Sequence, residues 1–469
     1  MAKTNVDEYL DENISNIYNT KANNVSLKKE YGLTEEIVRN ISKEKEEPDW
    51  VLDIRLKALK AFYELSDPDW GPDISYLDID KIATYVKSVD KEARTWDDVP
   101  DDIKDIFDKL GIPESEKQAL AGSGAQFDSE IVYHNLTEDL KKQGVIYTSF
   151  DEAIKEYPEL VKKYFTKAVP IYDHKYIALH YALFSGGSFV YIPKDAELDR
   201  PLQSYFRLNA PGAGQFEHTL IVVDDNAKLQ FIEGCSAPGY NEVNLHAGCV
   251  ELFVGKNAFL RFSTIENWSK NMLNLNTKKC FVEENGKIEW IMGSFGSKVS
   301  MLYPLSVLNG ENATCEFTNI SFAGAGQNLD TGLKIIHNAP NTSSVVNSKS
   351  ISKDGGICTF RSNAVVKPKA KNSKLAISCE SLMMDSISRS DTIPVDTIET
   401  DDCMFAHEAT VGKISDEAIY YLQTRGMTEE EAKALIVRGF AEPIAKAFPV
   451  EYAVEMNRLI NLELEGTIG

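Results

Sequence analysis

One phrase recurs seven times along the second half of this chain at a nearly fixed step. "NAKLQF" begins at Asn226, "NAFLRF" at Asn257, "NGKIEW" at Asn285, "NATCEF" at Asn312, "NTSSVV" at Asn341 and "NSKLAI" at Asn372, and a weakened copy, "DCMFAH", begins at Asp402. The steps are 31, 28, 27, 29, 31 and 30 residues, within the period range of stacked-repeat architectures. Asparagine tolerates the left-handed backbone of a tight turn, so each phrase reads as a turn that enters a strand. Three residues after each turn stand Leu229, Leu260, Ile288, Cys315, Ser344, Leu375 and Phe405. Five after stand Phe231, Phe262, Trp290, Phe317, Val346, Ile377 and His407. Alternate residues of a strand share a face, so these columns predict inward ladders with rungs about 4.8 Å apart. The pattern predicts a mainly β protein built on a parallel β-helix or similar β-solenoid. A sandwich of meandering strands is the alternative.

Helical signals flank this region. In "GLTEEIVRNIS", Thr34 caps a turn opened by Glu35 and Glu36, with Leu33, Ile37 and Ile41 on one face. "WVLDIRLKALKAFYEL" stripes Leu52, Leu56, Leu59 and Tyr63, and "VPDDIKDIFDKLGIP" stripes Ile103, Ile106, Phe107 and Leu110 before Gly111. From about residue 176 the period changes to two, in "GSFVYIPKD", "HTLIVVDD" and "KLQFIEG". After "HEATVGKIS" helices return, capped at Ser415 and Thr428. A last run holds Val454, Leu459 and Ile460, as core or as a docking face.

With 469 residues, 43% of them hydrophobic, the chain can bury a large core in two or three domains. Its 50 basic against 72 acidic residues disfavour a nucleic-acid or anionic-membrane surface. No apolar run approaches a membrane span, and the acidic start "MAKTNVDEYLDENIS" does not read as a targeting peptide. Seven cysteines without a CxxC pair predict reduced thiols, and a cytoplasmic protein is the expectation.

Continuing the face of Phe231 by twos brings Glu233 and Cys235 inward, unless Gly234 makes a bulge. Cys235 is then either a small core filler or a functional thiol. In the next copy the equivalent positions are Thr264 and Glu266, with Trp268 two further on, so a hydrated passage is predicted there. The seventh copy replaces the ladder aromatic with His407, followed by Glu408, and one rung back the same line holds Ile377 and Cys379. That places a Cys and a His within reach of one metal centre; a core histidine held by Glu408 is the alternative. Five rungs, about 24 Å, separate Cys235 from Cys379, so one centre cannot contain both. No Walker loop, Gly-x-Ser-x-Gly elbow or HExxH is present, and hydrolysis is expected from a partner.

"YFRLNAPGAGQFEHTLIVVDD", "IEGCSAP", "IENW", "FGSK", "SKSISKDGG", "SRSDTIP", "HEATVGKIS" and "EGTIG" together resemble the SufB/SufD family of the SUF iron–sulfur cluster assembly machine, and within it the SufB scaffold branch. The resemblance runs from about residue 30 to the C-terminus. It implies an N-terminal helical domain (1–168), a right-handed parallel β-helix core (169–410) and a C-terminal helical domain (411–469) that docks the SufC ATPase. It also implies a SufD paralogue or a second SufB as partner, sulfur from the cysteine desulfurase SufS through SufU or SufE, a 4Fe-4S or 2Fe-2S cluster as product, and reduced FAD in the complex. Position by position, Cys235 matches the sulfur-accepting cysteine. Arg207, Asn209, Trp268 and Lys278 match passage residues, with Glu266 where some members carry Gln. His407 and Glu408 match the pair near the assembly site.

One branch of the family carries a ligand cysteine followed by Gly-Ala-His-Thr, where this chain reads Ser388, Arg389, Ser390, Asp391, Thr392. Ala406 stands where that branch has glutamate. The cluster-ligand candidates are therefore Cys379, Asp385, Asp391, His407 and Glu408, with Cys379, His407 and Glu408 as the iron ligands, and Cys403 is incidental. Cations such as Arg207 or Lys278 are expected to lower the Cys235 pKa. Two rival readings are a SufD-like structural paralogue without sulfur chemistry and a β-helix carbohydrate enzyme.

Overall fold

The computed structural model describes residues 19–21, 27–89, 96–109, 120–448 and 450–465. Leu110, Gly111 and the Val454 side chain lie outside that set. Within it the repeat forms a β-solenoid of eight turns. One ten-stranded sheet stacks Leu202–Arg207, Lys228–Ser236, Phe259–Asn267, Lys287–Phe295, Thr314–Ala323, Ser343–Ser352, Ser373–Met383 and Cys403–Lys413 in parallel, and Gly122–Phe127 and Glu130–Leu136 extend its near end. A thirteen-stranded sheet forms the other wall, from Ile146–Ser149 to Arg389–Ile398.

The two predicted columns are in register at every rung. Leu229 pairs Leu260, then Ile288, Cys315, Ser344, Leu375 and Phe405; Phe231 pairs Phe262, then Trp290, Phe317, Val346, Ile377 and His407. Their side chains build the solenoid core, where Phe231 stacks on Phe262 with ring centroids 5.7 Å apart. Only the last rung opens: Phe405 is 37% exposed and Met404 67%. Among the described residues no further turn covers it.

The turns behave as the sequence predicts. Asn226, Asn257, Asn285, Asn312, Asn341 and Asn372 all have positive φ, between 54° and 61°. Side-chain amides link neighbouring turns into a ladder, with Asn257 donating to Asn226, Asn285 to Asn257 and Asn312 to Asn285, each at 2.9 Å. Replacing Asn285 by alanine is expected to cost about 1–2 kcal/mol, because a Cβ without a polar group meets the left-handed penalty and two ladder bonds are lost. Asn285→Gly should cost less. Urea midpoints of the two variants check this, and equal losses would show that φ is not the cause.

The structure adds an eighth turn that the sequence analysis missed. Asp195, with φ 63°, lies 31 residues before Asn226 and accepts its side-chain amide at 2.6 Å. Leu202 rather than residue 200 then pairs Phe231, because two extra residues follow Leu198. That shift hides the phrase "DAEL" from a fixed-offset comparison.

The helical covers are as expected at their ends and different in their faces. Thr34 caps Glu35–Glu44 and Ser415 caps Asp416–Gln423; Thr428 forms a capping box with Glu431 at the start of Glu429–Ala445. The helix Asp49–Glu64, however, buries Val51, Arg55, Ala58, Leu59 and Phe62, and leaves Tyr63 66% exposed. Arg55 has a fixed ion-pair partner inside, Glu47. Residues Lys175–Leu183, placed in the period-two region, form a helix buried on all sides against Asp49–Glu64 and the second sheet. A helix buried all round has no stripe to reveal it. At the other end, Val437, Ala441, Ile444, Met456, Leu459 and Ile460 pack on Ile232, Ile265, Ile291, Ile320 and Ile351, the outward line of the first sheet. Leu459 and Ile460 are thus core rather than docking face.

Candidate functional site

Pairing from Lys228 to Ser236 is unbroken, so Gly234 makes no bulge and Cys235 points inward with Glu233. Cys235 is buried beside Phe206, Ala237, Trp268 and Met272. Around it the solenoid interior turns from apolar to ionic. Lys278, from the opposite sheet, reaches Glu233 Oε1 at 2.5 Å and Glu266 Oε1 at 3.8 Å, and Thr264 donates to Glu233 at 3.3 Å. Glu266 Oε2 accepts from Asn274 at 2.5 Å; Asn274 Oδ1 lies 2.7 Å from His246 Nδ1, and His246 Nε2 lies 2.5 Å from Glu217. Trp268 closes this chain with its ring 4.6 Å from that of His246. All of these residues are buried.

The charges set the state of the thiol. Burial, and then the carboxylates of Glu233, Glu266 and Glu217, push the Cys235 pKa well above its ordinary value, and Lys278 opposes them only weakly. The expectation of a thiolate activated by Arg207 or Lys278 is therefore corrected: Lys278 is committed to Glu233, and three carboxylates outweigh it. Burial also raises the Glu233 carboxyl, against the pull of Lys278. Burial alone would lower His246, but the Glu217 carboxylate raises it, and His246 in turn holds Glu217 low against burial.

Arg207 and Asn209 stand one strand away. Arg207 pairs Ser236 in register and donates to its Oγ at 2.9 Å, and Tyr205 donates to the same oxygen at 3.0 Å. Asn209 is held through its backbone: Asp128 Oδ1 accepts its N–H at 2.7 Å and that of Ala210 at 2.8 Å. Burial pushes the Asp128 carboxyl up to about 6 against those two donors.

From Cys235 a polar line continues through the interior, one residue per rung. Cys235 pairs Glu266, which pairs Ser294, then Ser321, Ser350 and Ser381; beside it Glu233 is followed by Thr264, Met292, Asn319, Ser348 and Cys379. Ser350 donates to Ser381 at 2.8 Å, and Asn319 reaches Ser321 at 3.3 Å and Ser348 at 3.4 Å. Apart from Met292 the second line is polar until Cys379, and both lines are buried.

At the far end Cys379 Sγ lies 3.6 Å from His407 Nε2, and His407 Nδ1 lies 3.3 Å from Asp396 Oδ2. Burial, then Asp396, pushes the Cys379 thiol up to about 12. The structure thus brings Cys379 and His407 together, with Asp396 as their carboxylate. It does not bring the other candidates to them. Glu408, next along the strand, is exposed and faces away. Asp391 pairs with Arg389 at 2.8 Å, and Asp385 accepts the N–H groups of Asp354, Ile387 and Ser388, closing a turn. Cys403 contacts the Thr400 carbonyl at 3.5 Å. The sequence analysis missed Asp396, Glu217, His246 and Asn274. Strand alternation within the second sheet was the only signal available for them.

The glycine pairs are turns. Gly186 and Gly187 have positive φ, and a Cβ on Gly187 would strike the backbone of His218; Gly355 has φ 82°.

The fold is that of a β-solenoid protein whose interior runs from a buried thiol to a Cys–His–carboxylate group. Similarity to known proteins specifies it. The SUF system FeS cluster assembly SufBD core domain matches residues 206–440, and the SufBD N-terminal region matches 126–204. A Staphylococcus haemolyticus "iron-sulfur cluster assembly SufBD family protein" is 52% identical over 443 residues, covering 94% of this chain and 95% of its own length. Proteins of the same description from Staphylococcus epidermidis and Staphylococcus aureus are 51% identical with the same coverage. The chain belongs to the SufBD family of iron–sulfur cluster assembly proteins. No helix among the described residues is long and apolar enough to cross a membrane.

Proposed function

We propose that this protein is the sulfur-receiving scaffold of its assembly complex, the SufB role, working in the cytoplasm. The observation that carries the reading is the in-register polar line that begins at Cys235 and ends beside Cys379 and His407. Cys235 takes sulfane sulfur by exchange: a persulfide on the donor transfers its outer sulfur, Cys235 becomes the persulfide, and the donor is left as thiol. The donor is a cysteine desulfurase, SufS, with SufU or SufE as carrier. Because the resting thiol is protonated and enclosed by carboxylates, the exchange requires the donor to open the site or neutralise those charges as it docks. Glu266, Trp268 and Lys278 line the path. Arg207, on the strand beside Cys235 and bonded to Ser236 on its other face, and Asn209, just after that strand, border the entry.

The iron–sulfur cargo is built at the open end, where Cys379 and His407 supply a thiolate and an imidazole. Asp396 orients the imidazole. The exposed last rung, with Phe405, Met404, Val411 and the neighbouring Val395, offers an apolar face to a SufD paralogue or a second copy. That partner completes the ligand set that Asp385, Asp391 and Glu408 do not reach. Tyr420, Tyr421 and Leu435, exposed on the C-terminal helices, form the docking face for the SufC ATPase.

The test is sulfur loading. The full-length protein, treated with cysteine, the desulfurase and its carrier, is expected to carry cyanide-releasable sulfur, and Cys235→Ser is expected to reduce it to background. Full loading of the variant would remove the role of Cys235. Failure of both proteins to load would favour the SufD-like structural reading.

A further inference from the structure

Behind the wall that carries Glu217 lies a second chemical group, facing the other way. Glu217 and His218 are neighbours along the chain and point to opposite sides of the second sheet, so His218 faces the helix Lys175–Leu183. There His180, His218 and Cys249 each offer one ligand atom, and the three atoms lie within 4.8 Å of one another. All three residues are buried.

The outer nitrogen of each ring lies beside an oxygen. His180 Nδ1 lies 2.8 Å from the Ala247 carbonyl, which can only accept, so that nitrogen carries the proton and Nε2 is a lone pair. His218 Nε2 lies 3.3 Å from Glu251 Oε2. The Glu251 carboxyl accepts the N–H groups of Thr166, Ala168 and Val169 at 2.8, 2.8 and 2.9 Å, and burial outweighs those bonds and pushes it up to about 7. In the tautomer with its proton on Nε2, on the Glu251 side, His218 Nδ1 is also a lone pair, and it sits 3.0 Å from His180 Nε2. In that tautomer the two lone pairs converge on one point, as a shared metal ion requires; in the other, His218 Nδ1–H donates to His180 Nε2. Phe150 and Phe165, with ring centroids 4.5 and 4.8 Å from that of His218, wall the pair. A metal ion would meet the same pair plus the sulfur of Cys249.

We propose that His180, His218 and Cys249 bind one divalent transition-metal ion, with zinc as the best match. Zinc–nitrogen bonds of about 2.0–2.1 Å at a tetrahedral angle place two nitrogens about 3.3 Å apart, so the pair opens by only a few tenths of an ångström. Imidazole and thiolate donors suit zinc and exclude magnesium or calcium. A carbonyl and a carboxylate behind the two rings are what metal-bound histidines require. Binding releases the Cys249 thiol proton to solvent. The site is separate from the sulfur path, and its success or failure does not bear on the role of Cys235.

Cobalt(II) is the probe. The full-length protein with Cys379→Ser, which removes the other Cys–His thiolate, is stripped with chelator and titrated with cobalt(II). Uptake of about one equivalent, with intense tetrahedral ligand-field bands and a thiolate-to-metal charge-transfer band, is expected. Adding Cys249→Ser should abolish the charge-transfer band. Because a buried variant can fail to fold, X-ray absorption of the same zinc-loaded Cys379→Ser protein gives an independent reading: a shell with two imidazoles and one sulfur is expected. No cobalt uptake, a charge-transfer band that survives Cys249→Ser, or a shell without sulfur would overturn the site in favour of a metal-free relay in which Glu251 holds the proton.

Discussion

Replacing Lys278 by methionine is expected to destabilise the protein by about 3–5 kcal/mol, the usual cost of leaving a buried charge without its partner. Lys278 is the cation that faces Glu233 at 2.5 Å and Glu266 at 3.8 Å, and none of the three is exposed to water. Methionine keeps the apolar stem and removes only the ammonium, which lies 5.1 Å from the Phe262 ring centroid, so the loss isolates the charge rather than the packing. The second substitution Glu233→Gln removes the orphaned carboxylate and should recover most of the loss. Urea midpoints of the single and double variants measure both effects. A single variant as stable as the parent would mean that the interior is open to water at this rung. The same variants bear on function, because a cavity kept polar but uncharged tests whether sulfur movement from Cys235 needs the ionic chain or only the space.

Arg55→Met is expected to cost a similar amount, about 3–5 kcal/mol. The guanidinium is buried; it holds Glu47 through Nη2 at 2.5 Å and Nε at 2.8 Å, and lies 3.8 Å over the Phe184 ring. It also donates to the carbonyls of Ala182 and Phe184 at 3.2 and 2.8 Å, at the C-terminal end of the buried helix Lys175–Leu183. Those carbonyls have no continuing turn to accept from, so arginine supplies the cap. Arg55→Lys should also lose heavily, since a single ammonium cannot hold a carboxylate and two carbonyls in one plane. Thermal unfolding with intact sulfur loading in the surviving folded fraction would show that the residue is structural. A lysine variant as stable as the parent would refute the capping role.

The repeat carried much of the fold because its signal lies within one strand. The Asn turn fixes where a strand starts, and alternation fixes which residues face inward. The columns from Leu229 to Phe405 and from Phe231 to His407 therefore align on residue order alone, and the strand pairing follows them. The same logic placed Cys235 inside and Cys379 one rung before His407. It failed where two residues were inserted after Leu198, and where Lys175–Leu183 is buried on every side and shows no stripe.

What sequence alone determined, then, is seven parallel strands of the first sheet, their register and the separation of the two cysteines. Only the tertiary structure decided which carboxylates surround Cys235, that Asp396 and not Glu408 or Asp391 reaches His407, and that His180 meets His218 and Cys249. The physical reason is that period-two order belongs to the backbone of one strand. Contacts between opposite walls depend instead on how many residues each connecting turn holds, and that number changes from rung to rung. A thiol's state is set by those cross-wall neighbours, which is why the sequence could point to Cys235 and still misjudge its charge.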